Sequence, residues 1–380
     1  MKLAFAYESA YPWFNGGIEK RRYNILKALS KSKSMELHMF TLYRPGMPGY
    51  EFEYEGVKYH CIGKASGIAA MYANGSRRNV YMSAKFAVAL FAKLLRHRFD
   101  AIDTDSFPFL HVPLVYIYAR LTGARLLLTW HEVWSRSFWH TYLPKGGALG
   151  YFFERLAARL GDAHIANSSA TKDLLTDLFG VSSEKVIIFP AAVDKEEVDA
   201  FAKANAQICS GKAKQDKFVV VSRLVKHKRV ELAINAIAHT KAKLVVIGKG
   251  PELLSLKTLA KPLGANKVVF RPSVSPTSLY RELCTSKGLV MPSEREGLSL
   301  ITVEALSIGV PVIIVESSML PKELKSLCVE ASDGGLAAAL NDVSAHYYKY
   351  ARKYAKLAPY VIRRFSNEGA EKIYRKALRA

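Results

Sequence analysis

The sequence predicts an α/β protein made of two Rossmann-like, doubly wound domains. Short apolar runs alternate with helical patterns along the chain, as they do where helices join parallel strands. That cycle starts a second time after Val193-Asp194. With 380 residues, 50% of them hydrophobic, the chain can bury two ordinary cores.

In the first cycle Leu3 to Tyr7 reads as a strand, Glu19 to Leu29 as a helix and Leu37 to Leu42 as a second strand. The stretch Tyr43 to Gly56, rich in Pro, Gly and Tyr, carries neither period and reads as a loop. A helix is expected over Tyr81 to Leu95 and another over Ser169 to Phe179, with strands at Ala101 to Thr104, Arg125 to Thr129, Ala163 to Ala166 and Val186 to Phe189. The polar, irregular segment Ala204 to Asp216 separates the cycles. In the second, Phe218 to Val221, Lys243 to Ile247, Lys267 to Phe270, Gly288 to Met291 and Val312 to Val315 are strands with helices between them. The expected domains are 1–195 and 196–360. Ligands of open α/β sheets bind outside the carboxyl ends of the strands, so the chemistry is expected in a cleft between two such edges.

A net charge of +22 calls for anionic surroundings: a phosphorylated ligand, an anionic membrane or nucleic acid. Basic residues gather in Lys20-Arg21-Arg22, in Arg77-Arg78 leading to Lys93 and Arg96-His97-Arg98, and from Lys349 through Arg379. Each cluster reads equally as a solvated helix face. A nucleic-acid-binding protein is therefore a rival reading, but no recognisable binding module accompanies the charge. No G-x-G-x-x-G follows the first strand, which argues against a dinucleotide enzyme. The first apolar stretch is too short for a signal peptide, and no run approaches the roughly 20 apolar residues of a membrane span, which together read as a cytoplasmic protein. Cys61, Cys209, Cys284 and Cys328 lack C-x-x-C spacing, so small buried apolar roles are expected in place of zinc or disulfides.

The chemistry concentrates in Pro292-Ser293-Glu294-Arg295-Glu296-Gly297-Leu298-Ser299-Leu300-Ile301-Thr302-Val303-Glu304-Ala305-Leu306, followed by Gly309-Val310-Pro311-Val312. An apolar strand runs into a polar turn and then a helix. The N–H groups of Gly297, Leu298, Ser299 and Leu300 at the helix start favour an anion such as a phosphate. A carboxylate on either side would repel that anion, so Glu296 and Glu304 are better explained as acceptors for sugar hydroxyls. The ligand implied is hydroxyl–phosphate–hydroxyl, with Glu296 at a transferred sugar and Glu304 at a ribose: a nucleotide sugar. Arg223 and Lys228, in Ser222-Arg223-Leu224-Val225-Lys226-His227-Lys228-Arg229 after the first strand of the second domain, would neutralise a diphosphate as its bond to the sugar breaks. Lys226 and Arg229 are expected to face solvent.

The pattern P-S-x-x-E-G-x-x-x-x-x-x-E-A-L-x-x-G-x-P-V resembles the E-x7-E signature of the retaining glycosyltransferases of family 4, which have the GT-B fold. The resemblance implies donor-sugar and ribose roles for Glu296 and Glu304, and the family's G/S-R-L-x-x-x-K pattern puts diphosphate roles on Arg223 and Lys228. It covers most of the chain and implies that a last helix, 361–380, crosses back to the first domain. It gives the Asn15-Gly16-Gly17-Ile18-Glu19 turn a place near donor phosphates and acceptor, where Gly16 and Gly17 permit close backbone approach. Gly248-Lys249-Gly250-Pro251 matches the family's G-x-G-P turn near the nucleotide, with Gly248 and Gly250 serving backbone placement. His131, in Thr129-Trp130-His131-Glu132, corresponds to a His that touches the donor sugar or phosphate; alone it would read as structural. Glu132 either binds acceptor or faces water.

Asp103-Thr104-Asp105 also fits the D-x-D metal–nucleotide motif of the other large glycosyltransferase fold, but it falls in the first domain and the cations at Arg223 and Lys228 make a metal unnecessary. Asp105 is assigned to acceptor contact instead. One departure stands out: the family commonly has P-N-G-V-D where this chain has Pro190-Ala191-Ala192-Val193-Asp194. The expectation is a metal-independent, cofactor-independent retaining transfer of a sugar from a nucleoside diphosphate sugar to a lipid-linked or polysaccharide acceptor. An anionic membrane is a candidate partner through Val80 to Arg98, which reads equally as a core-packed helix with a basic end.

Overall fold

The computed structural model describes residues 1–65, 72–73, 77–205, 208 and 215–379, with the side chains of 72–73 and 77–78 left aside. The Arg77-Arg78 side chains, Cys209 and much of the Ala204–Asp216 separator thus lie outside the described residues. The chain forms two compact units, Met1–Ala191 with Asn367–Ala380, and Ala192–Ser366.

The first unit runs β1 (Lys2–Ala6), α1 (Gly17–Leu29), β2 (Glu36–Tyr43), β3 (Glu51–Tyr54), β4 (Val57–Lys64), the short pair β5 (Tyr72–Ala73) and β6 (Arg77–Arg78), α2 (Val80–Leu94), β7 (Ala101–Asp105), α3 (Val112–Thr122), β8 (Arg125–Trp130), α4 (Arg136–Tyr142), α5 (Gly147–Leu160), β9 (Ala163–Ala166), α6 (Ser169–Phe179) and β10 (Val186–Ile188). Its sheet has the order β10-β9-β8-β7-β1-β2-β4-β3, parallel except where β3 pairs antiparallel with β4. The expected Tyr43–Gly56 loop therefore contains a strand. Glu51-Phe52-Glu53-Tyr54 alternates polar and aromatic residues, and Phe52 and Tyr54 meet Trp13 edge-on at 5.3 and 5.2 Å. On one sheet face Phe86, Leu90, Val115, Tyr118 and Ala157 pack against Ala4, Ala6, Ile102 and Leu128; on the other Ile25, Leu26 and Leu29 of α1 cover Leu3, Phe5 and Leu127.

The second unit runs α7 (Lys195–Ala204), β11 (Lys217–Val221), α8 (Val230–Ala238), β12 (Lys243–Ile247), α9 (Leu253–Ala260), β13 (Val268–Arg271), α10 (Pro276–Thr285), β14 (Gly288–Met291), α11 (Leu300–Ser307), β15 (Val312–Val315), α12 (Lys322–Lys325), β16 (Val329–Ala331), α13 (Leu336–Ala345) and α14 (Tyr347–Phe365). Its all-parallel sheet has the order β13-β12-β11-β14-β15-β16. Phe218 and Val220 face one core and Val219 the other, so these strands, buried on both faces, are apolar throughout. Strand order reverses between β1 and β7 and between β11 and β14, so each sheet has one switch point where successive loops part.

The expected domain limits shift at both ends. Ala192 N–H donates to the Phe365 carbonyl at 2.7 Å and Val193 bridges Ser366, so the second unit begins at 192. Val361 and Phe365 are buried in that unit's core, because α14 runs on past Pro359; only 367–380, with α15 (Ala370–Ala377), belongs to the first unit. Cys284 is disulfide-bonded, contrary to the expectation of four unbonded cysteines, whereas Cys61 and Cys328 are free. Among the described residues no helix is long and apolar enough to cross a membrane.

Candidate functional site

In the second unit the loops leaving β11, β12 and β14 at the switch point are bound into one rim. The Glu294 N–H donates to the His227 carbonyl at 2.9 Å, tying the β14 loop to the β11 loop. Leu224 N–H donates to the Lys249 carbonyl at 2.9 Å, tying in the β12 loop. The approach is close enough to need glycine: a Cβ on Gly248 (φ 152°) would sit 1.9 Å from the Ser222 carbonyl oxygen, and one on Gly250 would sit 2.2 Å from that of Leu224. These two glycines thus set how tightly the loops meet.

On this rim Lys228 Nζ lies 2.7 Å from Glu296 Oε1, with both side chains largely buried. Arg223 is exposed near the start of the same loop. Arg229 does not face solvent as expected; its Nε donates to the Pro292 carbonyl at 2.9 Å and its Nη2 to Ser317 Oγ at 2.7 Å, so it pins the β14 loop. A left-handed backbone (φ 47°) at the start of α8 turns it inward.

Helix α11 starts at Leu300, three residues later than Gly297, because Ser299 takes a left-handed conformation (φ 60°, ψ 84°) that no helix continues. Ser299 Oγ does not cap the helix. It bonds Thr302 Oγ1 at 2.9 Å and the Met291 sulfur at 2.8 Å, leaving the first-turn N–H groups without a side-chain cap. Gly297 and Leu298 lie in the loop ahead of the helix start, and Leu298 is buried. Glu304 follows one turn on, buried on α11. Arg223, Lys228, Glu296, the 297–300 turn, Glu304, Gly248 and Gly250 thus all belong to the loops, and the helix they lead into, around one switch point.

In the first unit a buried charge network lies at the ends of β7 and β8. Arg22 of α1 pairs with Asp103 and, at 2.8 Å, with Asp105. Asp103 also accepts from Thr129 Oγ1 at 2.7 Å and from the Tyr374 hydroxyl of α15. Asp105 Oδ1 lies 2.6 Å from His131 Nε2. Burial pushes the Asp105 carboxyl up, but Arg22 and His131 outweigh it and hold it at about 2. Burial pushes His131 below its usual value against the pull of Asp105, so the ring is neutral near pH 7. Asp105, expected to meet an acceptor, is instead fully buried and turns His131. Both carboxylates of the D-x-D sequence are engaged by Arg22, and among the described residues no group of three or more His, Cys, Asp or Glu is placed to hold a metal.

Lys20-Arg21-Arg22 reads in the sequence as a basic cluster for an anionic partner or equally as a solvated helix face, yet Arg21 and Arg22 are buried. Arg21 Nε donates to the Pro190 carbonyl at 2.7 Å, and its Nη2 to that of Phe189; burial, followed by the neighbouring Arg22, lowers it to about 10. Gly16 precedes α1 in extended conformation, and a Cβ there would strike Glu19 Oε2 at 2.1 Å. The buried Glu19 carboxylate, 2.5 Å from Ser9 Oγ, thus supplies negative charge at this helix start from the chain itself. Gly17 is exposed as the first residue of α1, and Glu132 accepts from Trp134 Nε1 at 2.9 Å.

Residues 15–197 match the family model described as Glycosyltransferase Family 4, and residues 201–356 the model described as Glycosyl transferases group 1. A GDP-mannose-dependent alpha-(1-6)-phosphatidylinositol monomannoside mannosyltransferase of Mycobacterium tuberculosis is 27% identical over 172 residues, covering 42% of this chain and 45% of that protein. The matched stretches span 27 to 45% of the length of the first curated relatives. Among solved structures, sucrose-phosphate synthase from Thermosynechococcus elongatus aligns with TM-score 0.78 at 17% identity, covering 99% of this chain and 98% of that one. A structure described as trehalose-6-phosphate from E. coli bound with UDP-2-fluoro glucose aligns with TM-score 0.75 at 14% identity, covering 100% of this chain and 99% of that one. The fold is GT-B, and with the two family models spanning residues 15–197 and 201–356 the chain belongs to the family 4, group 1 glycosyltransferases.

Proposed function

We propose that this chain is a retaining, metal-independent glycosyltransferase that moves a sugar from a nucleoside diphosphate sugar to an acceptor hydroxyl on a lipid-linked or polysaccharide glycan. The observation that carries the reading is the Lys228–Glu296 pair beside the uncapped start of α11. A cation and a carboxylate held together at an anion-binding helix start suit a ligand with phosphate next to sugar hydroxyls. On binding, the diphosphate takes Lys228, Glu296 turns to the sugar, and each desolvated charge exchanges one partner for another. Arg223 adds charge at the leaving diphosphate, and Glu304 holds the ribose.

No carboxylate is assigned as a nucleophile; the leaving phosphate oxygen takes the proton of the attacking acceptor hydroxyl on the same face of the sugar, so configuration is retained. Metal independence is supported by the two cations carried on the loop after β11, Arg223 and Lys228, and by the engagement of Asp103 and Asp105 with Arg22. His131, neutral and held through Nε2, leaves Nδ1 as the ring nitrogen for a sugar hydroxyl. The acceptor class draws on the mannosyltransferase relative, whose name gives phosphatidylinositol monomannoside.

The test is a thermal-shift screen of nucleoside diphosphate sugars, followed by product analysis with a lipid extract. Glu304→Ala should chiefly weaken donor binding, whereas Arg223→Ala and Lys228→Ala should lower turnover by roughly 10²-fold or more. Donor hydrolysis and transfer at wild-type rates in all three variants would sink the assignment.

A further inference from the structure

Three neighbouring helices on one side of the first unit's sheet, α2, α3 and α5, turn an apolar face outward. Helix α2 packs against α3, and α3 against α5. Their inner stripes, Phe86, Leu90, Val115 and Ala157 among them, fill the core. The opposite stripes should then be polar, yet Tyr81, Val88 and Leu95 on or ending α2 are 66, 63 and 54% exposed, Leu121 of α3 is 67% exposed and Phe152 of α5 is 56% exposed. Along α2 the exposed residues recur at 81, 84, 88, 92 and 95, the spacing of one helix face.

The charges on this layer are predominantly positive; the acids beside it are the exposed Asp100 after α2, Glu51, which pairs with Lys93, and Asp162, which pairs with Arg120. Lys85, Arg96 and Arg98 on or following α2, and Arg155 and Arg159 on α5, are all exposed. Neither α2 nor α3 contains an acidic residue, and the one acid of α5, Glu154, is fully buried and accepts from the Trp134 backbone N–H and from Trp139 Nε1. Lys85 Nζ lies 5.1 Å over the Tyr81 ring, so cation and aromatic share one spot of surface. A merely solvated face would balance its charges and would not expose large apolar side chains, and a protein-binding face would not need so strong an excess of cations around its apolar centre. An anionic bilayer satisfies both features: cations meet lipid phosphates while the apolar side chains enter the boundary between headgroups and acyl chains.

We propose that the outer face of α2, α3 and α5 docks the first unit on an anionic lipid bilayer. The proposal rests on the reading that the acceptor is lipid-linked, and it supplies the surface on which such an acceptor would be met. The test is sedimentation of the full chain with vesicles of phosphatidylglycerol and phosphatidylcholine, against vesicles of phosphatidylcholine alone. Binding to the anionic vesicles is expected, weakened about fivefold for each of Arg96→Gln and Arg155→Gln. Val88→Glu and Leu121→Glu, at positions too exposed to disturb the fold, should each weaken it tenfold or more with the circular dichroism spectrum unchanged.

Equal failure to bind either vesicle at low salt would overturn the proposal, and binding that Val88→Glu and Leu121→Glu leave intact would assign adsorption to some other surface and overturn it too. The two readings separate cleanly. Vesicle binding without turnover of any donor would remove the transferase assignment alone, and transfer to a water-soluble acceptor without vesicle binding would remove the docking face alone.

Discussion

Arg22 brings a guanidinium into the interior of the first unit, and two carboxylates, a tyrosine and a histidine are arranged around its charge. Breaking a buried pair by removing one partner leaves the other charge uncompensated, which costs far more than the pair contributes when whole. Arg22→Met should therefore destabilise the first unit by about 3–5 kcal/mol, read as a lower urea midpoint; a midpoint within error of wild type would show that Asp103 and Asp105 find other partners. None of this was legible in the sequence, where Arg22 sits in a basic run and its partners lie 81, 83 and 352 positions away. Glu296 and Glu304, by contrast, were legible because strand, turn and helix start lie within one short stretch. Their cationic counterpart at Lys228 was found from its strand-end position, but its direct bond to Glu296 needed coordinates.

Two turns carry backbone conformations that their residues resist or permit. Ala191, where the family commonly has Asn, adopts φ 44°, a left-handed geometry that costs an alanine about 1–2 kcal/mol. Arg21 holds the turn by gripping the carbonyls just before it. Ala191→Gly removes that cost and returns part of it as chain entropy in the unfolded state, so a net gain of about 0.5–1 kcal/mol is expected in urea denaturation. Gly250→Ala should do the reverse, forcing the β12 loop off Leu224 and raising the KM for donor more than it lowers the melting temperature. An unchanged KM would mean that the rim tolerates a wider gap than the 2.2 Å contact suggests. At this scale the buried parallel strands were readable as apolar runs. Strand β3 was not, because proline and glycine nearby masked four residues whose role depends on the aromatic cluster around Trp13.

Over the whole molecule, acid is the condition to which the fold is most exposed. His111 and His164 are buried, and burial pushes each down to about 4. Between about 6.5 and 4 the unfolded chain takes up a proton at each that the folded chain refuses, so stability falls as pH drops through that window, by about 1.4 kcal/mol per pH unit for each histidine. The Asp105 contribution has the same sign in a lower window: it is intact above the ordinary aspartate value and is lost only as pH falls toward about 2. A urea midpoint lower at pH 5 than at pH 7, and level from pH 7 to 8, is expected; a midpoint that rises or stays constant on acidification would contradict the buried neutral rings. The division into two sheets was evident in the sequence from the repeated cycle, and the family resemblance already implied that the end of the chain returns to the first domain; the limit at 367 and the bond from the Tyr374 hydroxyl to Asp103 needed coordinates. That bond also sets a timetable for biogenesis. A ribosome delivers Arg22 and both aspartates early, but the hydroxyl that completes their shell emerges only after all of residues 192–366. A nascent chain therefore holds its amino-terminal unit unfinished throughout translation of the other, and a message cut short before codon 374 should yield a product for proteolysis in place of a half-active enzyme.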